Sequence, residues 1–226
     1  MNWDFLPDLA NKTPLWLALV TVGVNAAVGA LRASIDDEHH WDIVGMATFA
    51  VLMGLGGGFI RDLLVGNLPV ESLRTPWYLV TVLGVIGGVL VLGERISRVT
   101  ALVTLINALA LGLFAIVGTA YGLRAGLPVI SSIFVGTASA VGGGVLVSVM
   151  KDEVPTILLA STPNALVALL ASGVYSATDV WDARAAGVFG IVAAVAAHYI
   201  AHGLGIETQR VDRPSTLLFT RKRDEQ

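Results

Sequence analysis

Hydrophobic residues form long runs along this chain, and short polar connections separate them. A helix needs about 17 to 25 mainly apolar residues to cross a bilayer. Seven runs have roughly this length, so the pattern predicts an all-α integral membrane protein with seven transmembrane helices in one membrane domain, residues 1–226. The predicted helices are Leu15–Leu31, Ile43–Gly66, Trp77–Leu92, Thr100–Gly122, Leu127–Met150, Thr156–Tyr175 and Ala183–Leu204.

Two glycine triplets stand at corresponding positions in the second and fifth runs. They are Gly56–Gly58 and Gly142–Gly144, and each ends at the same distance before a proline, Pro69 or Pro155. A glycine in a helix interior costs about 1 kcal/mol relative to alanine, so three together predict a break or a sharp kink. We therefore expect helices two and five to be kinked at the triplets.

The two halves of the chain also resemble each other outside the triplets. The first and fourth runs share the patterns Gly23-x-x-Ala26-x-x-Gly29 and Gly112-x-x-Ala115-x-x-Gly118. We assign a first three-helix repeat to residues 15–92 and a second to residues 100–175, followed by a seventh helix at 183–204 and a cytoplasmic tail at 205–226. Because three is odd, the second repeat enters the membrane from the opposite side. Such inverted-topology repeats are a recurring sign of transport.

Composition and charge agree with a membrane location. The chain is 55% hydrophobic and 14% charged, whereas soluble domains carry about 25% charged residues. There are no cysteines, which excludes disulfides and thiolate metal sites, and the net charge of -3 does not suggest a nucleic-acid partner. With seven helices, nine Lys and Arg residues share a side with the C-terminus and five lie opposite. This bias predicts a cytoplasmic C-terminus and an external N-terminus.

The glycine triplets are also the first candidates for function. A broken helix in lipid leaves backbone groups without partners, a cost that is tolerated where those groups line a path for a polar solute. The alternative is that the glycines only let two helices touch. The sequence contains no nucleophile elbow, phosphate-binding loop or catalytic dyad, so we expect no enzyme, no metal and no other cofactor. The predicted pore and kink residues are Gly56, Gly57, Gly58, Gly142, Gly143 and Gly144.

Charged and hydroxyl side chains near the triplets complete the candidate site. Arg61 and Asp62 follow the first triplet, and Lys151 and Asp152 follow the second, so we assign them to pore charge or gating. The alternatives are a local ion pair at the helix end and a plain interfacial role. The candidate pore hydroxyls, which could instead satisfy backbone carbonyls, are Thr48, Thr137, Ser139 and Ser148.

The segment Gly56-Gly57-Gly58-Phe59-Ile60-Arg61-Asp62-Leu63-Leu64, with Pro69 following, resembles the prokaryotic TRIC (trimeric intracellular cation) channel family. The duplicated domain of that family is also labelled glycine transporter. The resemblance implies a homotrimer in the inner membrane of a prokaryote, with a pore in each subunit. It also implies that the two kinked helices line this pore, which passes potassium and other monovalent cations. The second repeat departs from the motif, because Val147-Ser148 stands where Arg61-Asp62 would recur.

Three functions remain open at this point. The first is a monovalent cation channel, in contact with membrane lipids, in which carboxylates, hydroxyls and backbone carbonyls offset the nearby basic residues. The second is a secondary transporter for a small zwitterion such as glycine, since helix ends suit both a carboxylate and an ammonium group. The third is a membrane scaffold without a path, which a dry bundle around both triplets would favour.

Overall fold

The computed structural model describes residues 14–34, 36, 39–97, 100–155, 157 and 163–204. Within these residues the chain forms eight α-helices, seven of them long and one of a single turn. Their bounds are α1 Leu15–Ser34, α2 Ile43–Val65, α3 Glu71–Arg74, α4 Trp77–Ser97, α5 Thr100–Arg124, α6 Val129–Met150, α7 Asn164–Thr178 and α8 Ala183–Gly203.

The long helices coincide with the hydrophobic runs of the sequence. By length and composition, α1, α2, α5, α6 and α8 can each cross a membrane. The stretches Trp77–Leu92 in α4 and Asn164–Thr178 in α7 are apolar but shorter. Each of the seven predicted runs therefore overlaps one long helix, while seven crossings stay a prediction.

Two connections differ from the prediction. The one-turn helix α3 lies between α2 and α4, where we expected only a loop. The sixth predicted helix starts at Thr156, whereas α7 begins at Asn164, directly after Pro163. Proline lacks the amide hydrogen of a helix interior and disfavours helix in the residue before it, which explains the later start. The predicted cytoplasmic tail, residues 205–226, lies outside the described residues.

The helices continue through both glycine triplets. Helix α2 runs without interruption from Ile43 to Val65, and α6 from Val129 to Met150. The expectation of a broken helix is therefore wrong, while a bend that keeps the helix intact stays a prediction. Glycine lowers helix propensity but retains its backbone donor and acceptor. Close packing against a neighbouring helix can offset the propensity cost of about 1 kcal/mol per glycine.

The two triplets meet where α2 packs against α6. A Cβ atom at Gly57 would run into the carbonyl oxygen of Ser139, and one at Gly143 would lie 2.8 Å from the carbonyl oxygen of Met53. The Ser139 hydroxyl donates a hydrogen bond of 3.0 Å to the Gly57 carbonyl across the same interface. Since backbone atoms cannot rotate aside, both positions require glycine for the helices to approach this closely.

The first glycine of each triplet makes a matching contact. A Cβ atom at Gly56 would lie 2.6 Å from Cδ1 of Leu146, and one at Gly142 would run into Cδ1 of Ile60. Here the obstacle is the end of a flexible side chain rather than backbone. Gly56 and Gly142 therefore bring the helices together less strictly than the central glycines do.

The ends of α2 and α6 also match. Gly66 and Asp152, the first and second residues beyond these helices, have positive φ angles of 76° and 57°. In each case the next amide donates to the carbonyl five residues earlier, at 2.8 Å after α2 and 2.9 Å after α6. These bonds satisfy carbonyl groups that a helix end leaves without partners. Glycine suits the left-handed position at Gly66, whereas Asp152 adopts it with a side chain.

Aspartate side chains cap two of the helix beginnings. Oδ1 of Asp42 accepts a hydrogen bond of 2.8 Å from the Gly45 amide at the start of α2. Oδ1 of Asp182 accepts from the amides of Ala185 and Arg184 at 2.9 and 2.7 Å at the start of α8. These two backbone bonds lower the pKa of Asp182. Such caps satisfy amides that have no partner within the helix.

Candidate functional site

Two cavities lie inside the bundle. The first, here the Arg32 cavity, has Arg32 and three carboxamides, Asn25, Asn107 and Asn164, among its lining residues, together with Gly144. It offers about 40 Å³ to the centres of water molecules. One water needs about 10–15 Å³ in this measure, so the space suits about three waters. The cavity is therefore large enough for water and has polar side chains that water could bind.

The second cavity, here the Arg61 cavity, is smaller. Its polar lining comes from Thr21, Arg61, Ser72 and Tyr78, and Gly58 forms part of its wall. It offers about 20 Å³, room for one or two waters at about 10–15 Å³ each. The Ser72 hydroxyl oxygen is buried and has no hydrogen-bond partner among the described residues. A water in this cavity could supply that partner.

The cavities are stacked along the bundle. On α1, Val22 lines the Arg61 cavity and Asn25 lines the Arg32 cavity. On α5, Phe114 lines the Arg61 cavity and Leu111 the Arg32 cavity. Each step is three residues, or about 4.5 Å along a helix that rises about 1.5 Å per residue. About one layer of side chains therefore separates the cavities.

The third glycine of each triplet differs from the first two. No atom lies within 4 Å of the Cβ position at Gly58, and only Nη1 of Arg32, at 3.9 Å, approaches that of Gly144. Gly58 lines the Arg61 cavity and Gly144 the Arg32 cavity. Two glycines let the helices touch, and the third leaves space at a cavity wall.

Arg61 and Asp62 form a buried ion pair. Nε and Nη2 of Arg61 lie 2.8 and 2.7 Å from Oδ1 of Asp62, and the residues are only 5% and 1% exposed. The other carboxylate oxygen accepts a 2.7 Å hydrogen bond from the Glu71 amide at the start of α3. The Arg61 guanidinium lies 3.7 Å from the ring centroid of Tyr121, a cation–π contact. Asp62 thus neutralises Arg61 and anchors α3.

Arg32 has a different environment. It is half-buried in its cavity and makes no hydrogen bond or ion pair with the part of the chain that the structure describes. Asn25 is 3% exposed, and its Nδ2 donates to the carbonyls of Thr21 and Ala110 at 2.9 and 3.3 Å. Oδ1 of Asn164 is buried without a partner among the described residues. The cavity therefore combines carboxamide groups with a positive charge that no described residue neutralises.

Lys151 and Asp152 lie outside both cavity linings. Nζ of Lys151 is 2.6 Å from Oε1 of Glu153 and 2.9 Å from Oδ2 of Asp36. Hydrogen bonds to Glu153 and then Asp36 raise the pKa of Lys151, although partial burial opposes the shift. The Trp41 indole also donates to Oδ2 of Asp36, at 2.7 Å. This cluster ties the end of α6 to the connection between α1 and α2, while Asp152 is exposed.

None of the four predicted pore hydroxyls lines these two cavities. Thr48 and Thr137 donate to carbonyls one turn earlier in their own helices, at 2.8 and 2.9 Å. Ser139 bonds across the α2–α6 contact, and Ser148 is buried near the end of α6. The hydroxyls of Thr48, Thr137 and Ser139 thus satisfy backbone carbonyls, the alternative that the sequence left open.

Sequence reasoning missed several cavity residues. Asn25 and Asn107 were not predicted, although each is a strongly polar residue inside an apolar run, and Arg32, the first residue after the first run, was not predicted as a site residue either. Such residues in a membrane helix usually face the interior of the bundle. That signal could have found them. Asn164 lies inside the sixth predicted run, where the same signal applies, whereas Ser72 lies in a connection, where polar residues are ordinary.

Comparison with known proteins decides the family. Residues 15–94 and 104–180 match the family model described as glycine transporter. The chain belongs to this family. One relative, a UPF0126 membrane protein of Deinococcus radiodurans, is 34% identical to this chain over 145 residues. That alignment covers 63% of this chain and 65% of the relative, so just under two thirds of the relative is matched.

Two further comparisons bear on the membrane and the fold. The UPF0126 inner membrane protein YadS of Escherichia coli K12 is 28% identical over 144 residues, covering 63% of this chain and 68% of that protein. The TRIC trimeric intracellular cation channel orthologue of Rhodobacter sphaeroides superposes with a TM-score of 0.76 at 27% identity, covering 85% of this chain and 98% of the other. The resemblance seen in the glycine motif is confirmed. This glycine transporter family member is a multi-pass membrane protein with the TRIC fold.

Proposed function

We propose that this protein is a channel that passes potassium and other monovalent cations down their gradient. The observation that carries the proposal is the stacking of two cavities along the bundle, each with several polar side chains in a mainly apolar lining. The likeness to a solved cation channel supports it. The path would run within one subunit, along the third glycine of each triplet, and no enzymatic step is involved.

The paired contacts at the triplets support an inverted repeat. Gly57 meets the carbonyl of Ser139 and Gly143 that of Met53, and in each helix the glycine and the carbonyl stand four residues apart. A two-fold axis through the α2–α6 contact would produce this exchange of partners. We therefore propose two inverted three-helix repeats, seven crossings and an axis at this contact, which places the cavities on either side of it.

Electrostatics suits a hydrated path of low affinity. Two like charges about 4 Å apart repel by about 4 kcal/mol at an effective dielectric constant near 20. Asp62 neutralises Arg61, so the Arg61 cavity presents little net charge to a cation. Arg32 keeps its charge, and the carboxamide oxygens of the Arg32 cavity offset it only in part. A potassium ion would therefore cross this cavity with water around it rather than bind tightly.

Charges outside the cavities would act on gating. Lys151 links Glu153 to Asp36, and through them the end of α6 to the connection that precedes α2. We propose that this cluster, with the neighbouring Asp152, couples movements of α2 and α6. Thr48, Thr137, Ser139 and Ser148 would stabilise the same helices rather than bind the ion. Assembly as a homotrimer in the inner membrane, with lipid around it and the C-terminus in the cytoplasm, completes the proposal.

A second candidate is transport of a small zwitterion such as glycine. The observation that favours it is the Arg32 cavity, where a guanidinium and the Oδ1 of Asn164, neither with a hydrogen-bond partner among the described residues, line one space. A carboxylate could bind the first and an ammonium group the second. The name of the family model points in the same direction.

One experiment separates the two functions. Purified protein in planar bilayers with a potassium gradient should give discrete currents under the channel proposal. Proteoliposomes that accumulate labelled glycine saturably, without unitary currents, would support the transporter instead. The matched control is Arg184→Gln, which removes a charge from an exposed residue of α8 outside both cavity linings. Absence of currents over a range of voltages and lipids would contradict the channel.

A further inference from the structure

A strongly polar side chain, Asn25, lies at the step between the two cavities on α1. The residue is 3% exposed and lines the Arg32 cavity, while Thr21, one turn away on α1, lines the Arg61 cavity. On the neighbouring helix α5, Ala110 lines the Arg32 cavity and Phe114 lines the Arg61 cavity. Asn25 on α1 and Phe114 on α5, which is 2% exposed, therefore both lie at the step between the two cavities.

The hydrogen bonds of Asn25 hold this layer together. Its Nδ2 donates to the Thr21 carbonyl at 2.9 Å, within α1, and to the Ala110 carbonyl at 3.3 Å, across to α5. The second bond is long for an N–H···O contact, which favours about 2.9–3.0 Å. The cross-helix bond is therefore the weaker of the two. Breaking it would leave the amide tied to its own helix.

The carboxamide oxygen has no such role. Oδ1 of Asn25 accepts no hydrogen bond from the described residues, and the side chain lines the Arg32 cavity. A carbonyl-type oxygen is the ligand that potassium prefers in selectivity sites. One side chain can therefore close the layer with its nitrogen and receive a cation with its oxygen.

We propose that Asn25 is the gate residue of this protein. In the closed state its bond to Ala110 holds α1 against α5 beside the Phe114 ring. In the open state that bond is broken, and the carboxamide oxygen takes the place of a water on the passing cation. The conducting part of this assignment rests on the proposed channel function, whereas the barrier between the cavities does not.

The absence of cysteine from the chain makes the barrier directly testable. Single cysteines at Thr21 and Val141 place one thiol in the lining of each cavity. Silver ion, a monovalent cation that binds thiolates, is added to one face of sealed vesicles, and thiols left free are then counted by mass after maleimide labelling. We expect the thiol in the cavity nearer to the face that receives silver ion to react at least tenfold faster than the thiol in the other cavity. The order of the two rates should reverse when silver ion is added to the opposite face.

Two variants of Asn25 and one control variant decide the role of this residue. Asn25→Ala should bring the reaction rates of the near and far thiols within about twofold, because it removes both the hydrogen bond to the Ala110 carbonyl and most of the side-chain volume. Asn25→Leu keeps the bulk without the polar atoms, so the far thiol should stay protected and potassium flux should fall at least tenfold. Thr119→Val is the control, since this hydroxyl bonds to Ala115 at 2.7 Å outside both cavity linings. It should leave every ratio unchanged.

The outcomes separate the gate from the channel. Equal rates for both thiols in the parent protein would show that no barrier lies at this layer and would overturn the proposal. An unchanged rate ratio in Asn25→Ala, or full potassium flux in Asn25→Leu, would overturn it as well. If Asn25→Ala opens the barrier but the protein carries no potassium current, the barrier at Asn25 would be supported and the proposed channel function would be contradicted.

Discussion

The neighbouring glycines Gly57 and Gly58 should respond in opposite ways to the same substitution. In Gly57→Ala the new methyl group would run into the carbonyl oxygen of Ser139, so α2 and α6 must move apart by about 1 Å. In Gly58→Ala no atom lies within 4 Å of the new carbon. The two changes share their chemistry and their helix, and only the surroundings differ.

The magnitudes follow from these surroundings. Overpacking at a close contact costs about 1–3 kcal/mol, and disturbing the Ser139 hydrogen bond to Gly57 in the variant costs about 1 kcal/mol more. Alanine returns about 1 kcal/mol of helix propensity at either site. We therefore expect Gly57→Ala to destabilise the protein by about 1–3 kcal/mol and Gly58→Ala to stabilise it by up to about 1 kcal/mol.

The assay is thermal unfolding of purified protein in one detergent at one concentration, with size-exclusion profiles to check folding. Gly143→Ala and Gly144→Ala form a second pair with the same expected signs, because a Cβ at Gly143 meets the Met53 carbonyl at 2.8 Å. Should Gly57→Ala prove as stable as Gly58→Ala, the close approach of backbone at the triplet would not be what requires glycine there.

Three further predictions concern charge and backbone conformation. Arg32→Gln should raise potassium conductance about threefold to tenfold by removing the unpaired charge from its cavity, and the same result in Arg184→Gln would contradict that reason. Asp62→Asn should destabilise the fold by about 3 kcal/mol, because it leaves Arg61 buried without a carboxylate; unchanged thermal unfolding would argue against the buried pair. Asp152→Gly should stabilise the protein by up to about 1 kcal/mol and so raise its unfolding temperature, because glycine adopts the positive φ of 57° without strain. A lowered unfolding temperature would show that the aspartate side chain contributes more than the strain costs.

Much of the fold could be predicted from the order of residues alone. Each hydrophobic run overlaps one long helix, since a chain in lipid must satisfy its backbone groups within each segment. The sixth helix was predicted to begin at Thr156, because the hydrophobic run extends to both sides of Pro163, whereas α7 begins at Asn164. The short helix α3 depends on a distant acceptor, the Asp62 carboxylate, and nine residues separate that group from the Glu71 amide it binds.

The sequence determined where the seven long helices and the two glycine triplets stand along the chain. Only the tertiary structure decided what each of these residues does. Successive residues of a helix point about 100° apart, since 3.6 residues make a turn, so Gly57 and Gly58 face different neighbours although they are adjacent in the chain. One meets the backbone of α6 and the other a cavity. A glycine has no side chain to indicate what lies opposite, and the partner helices alone supply that information.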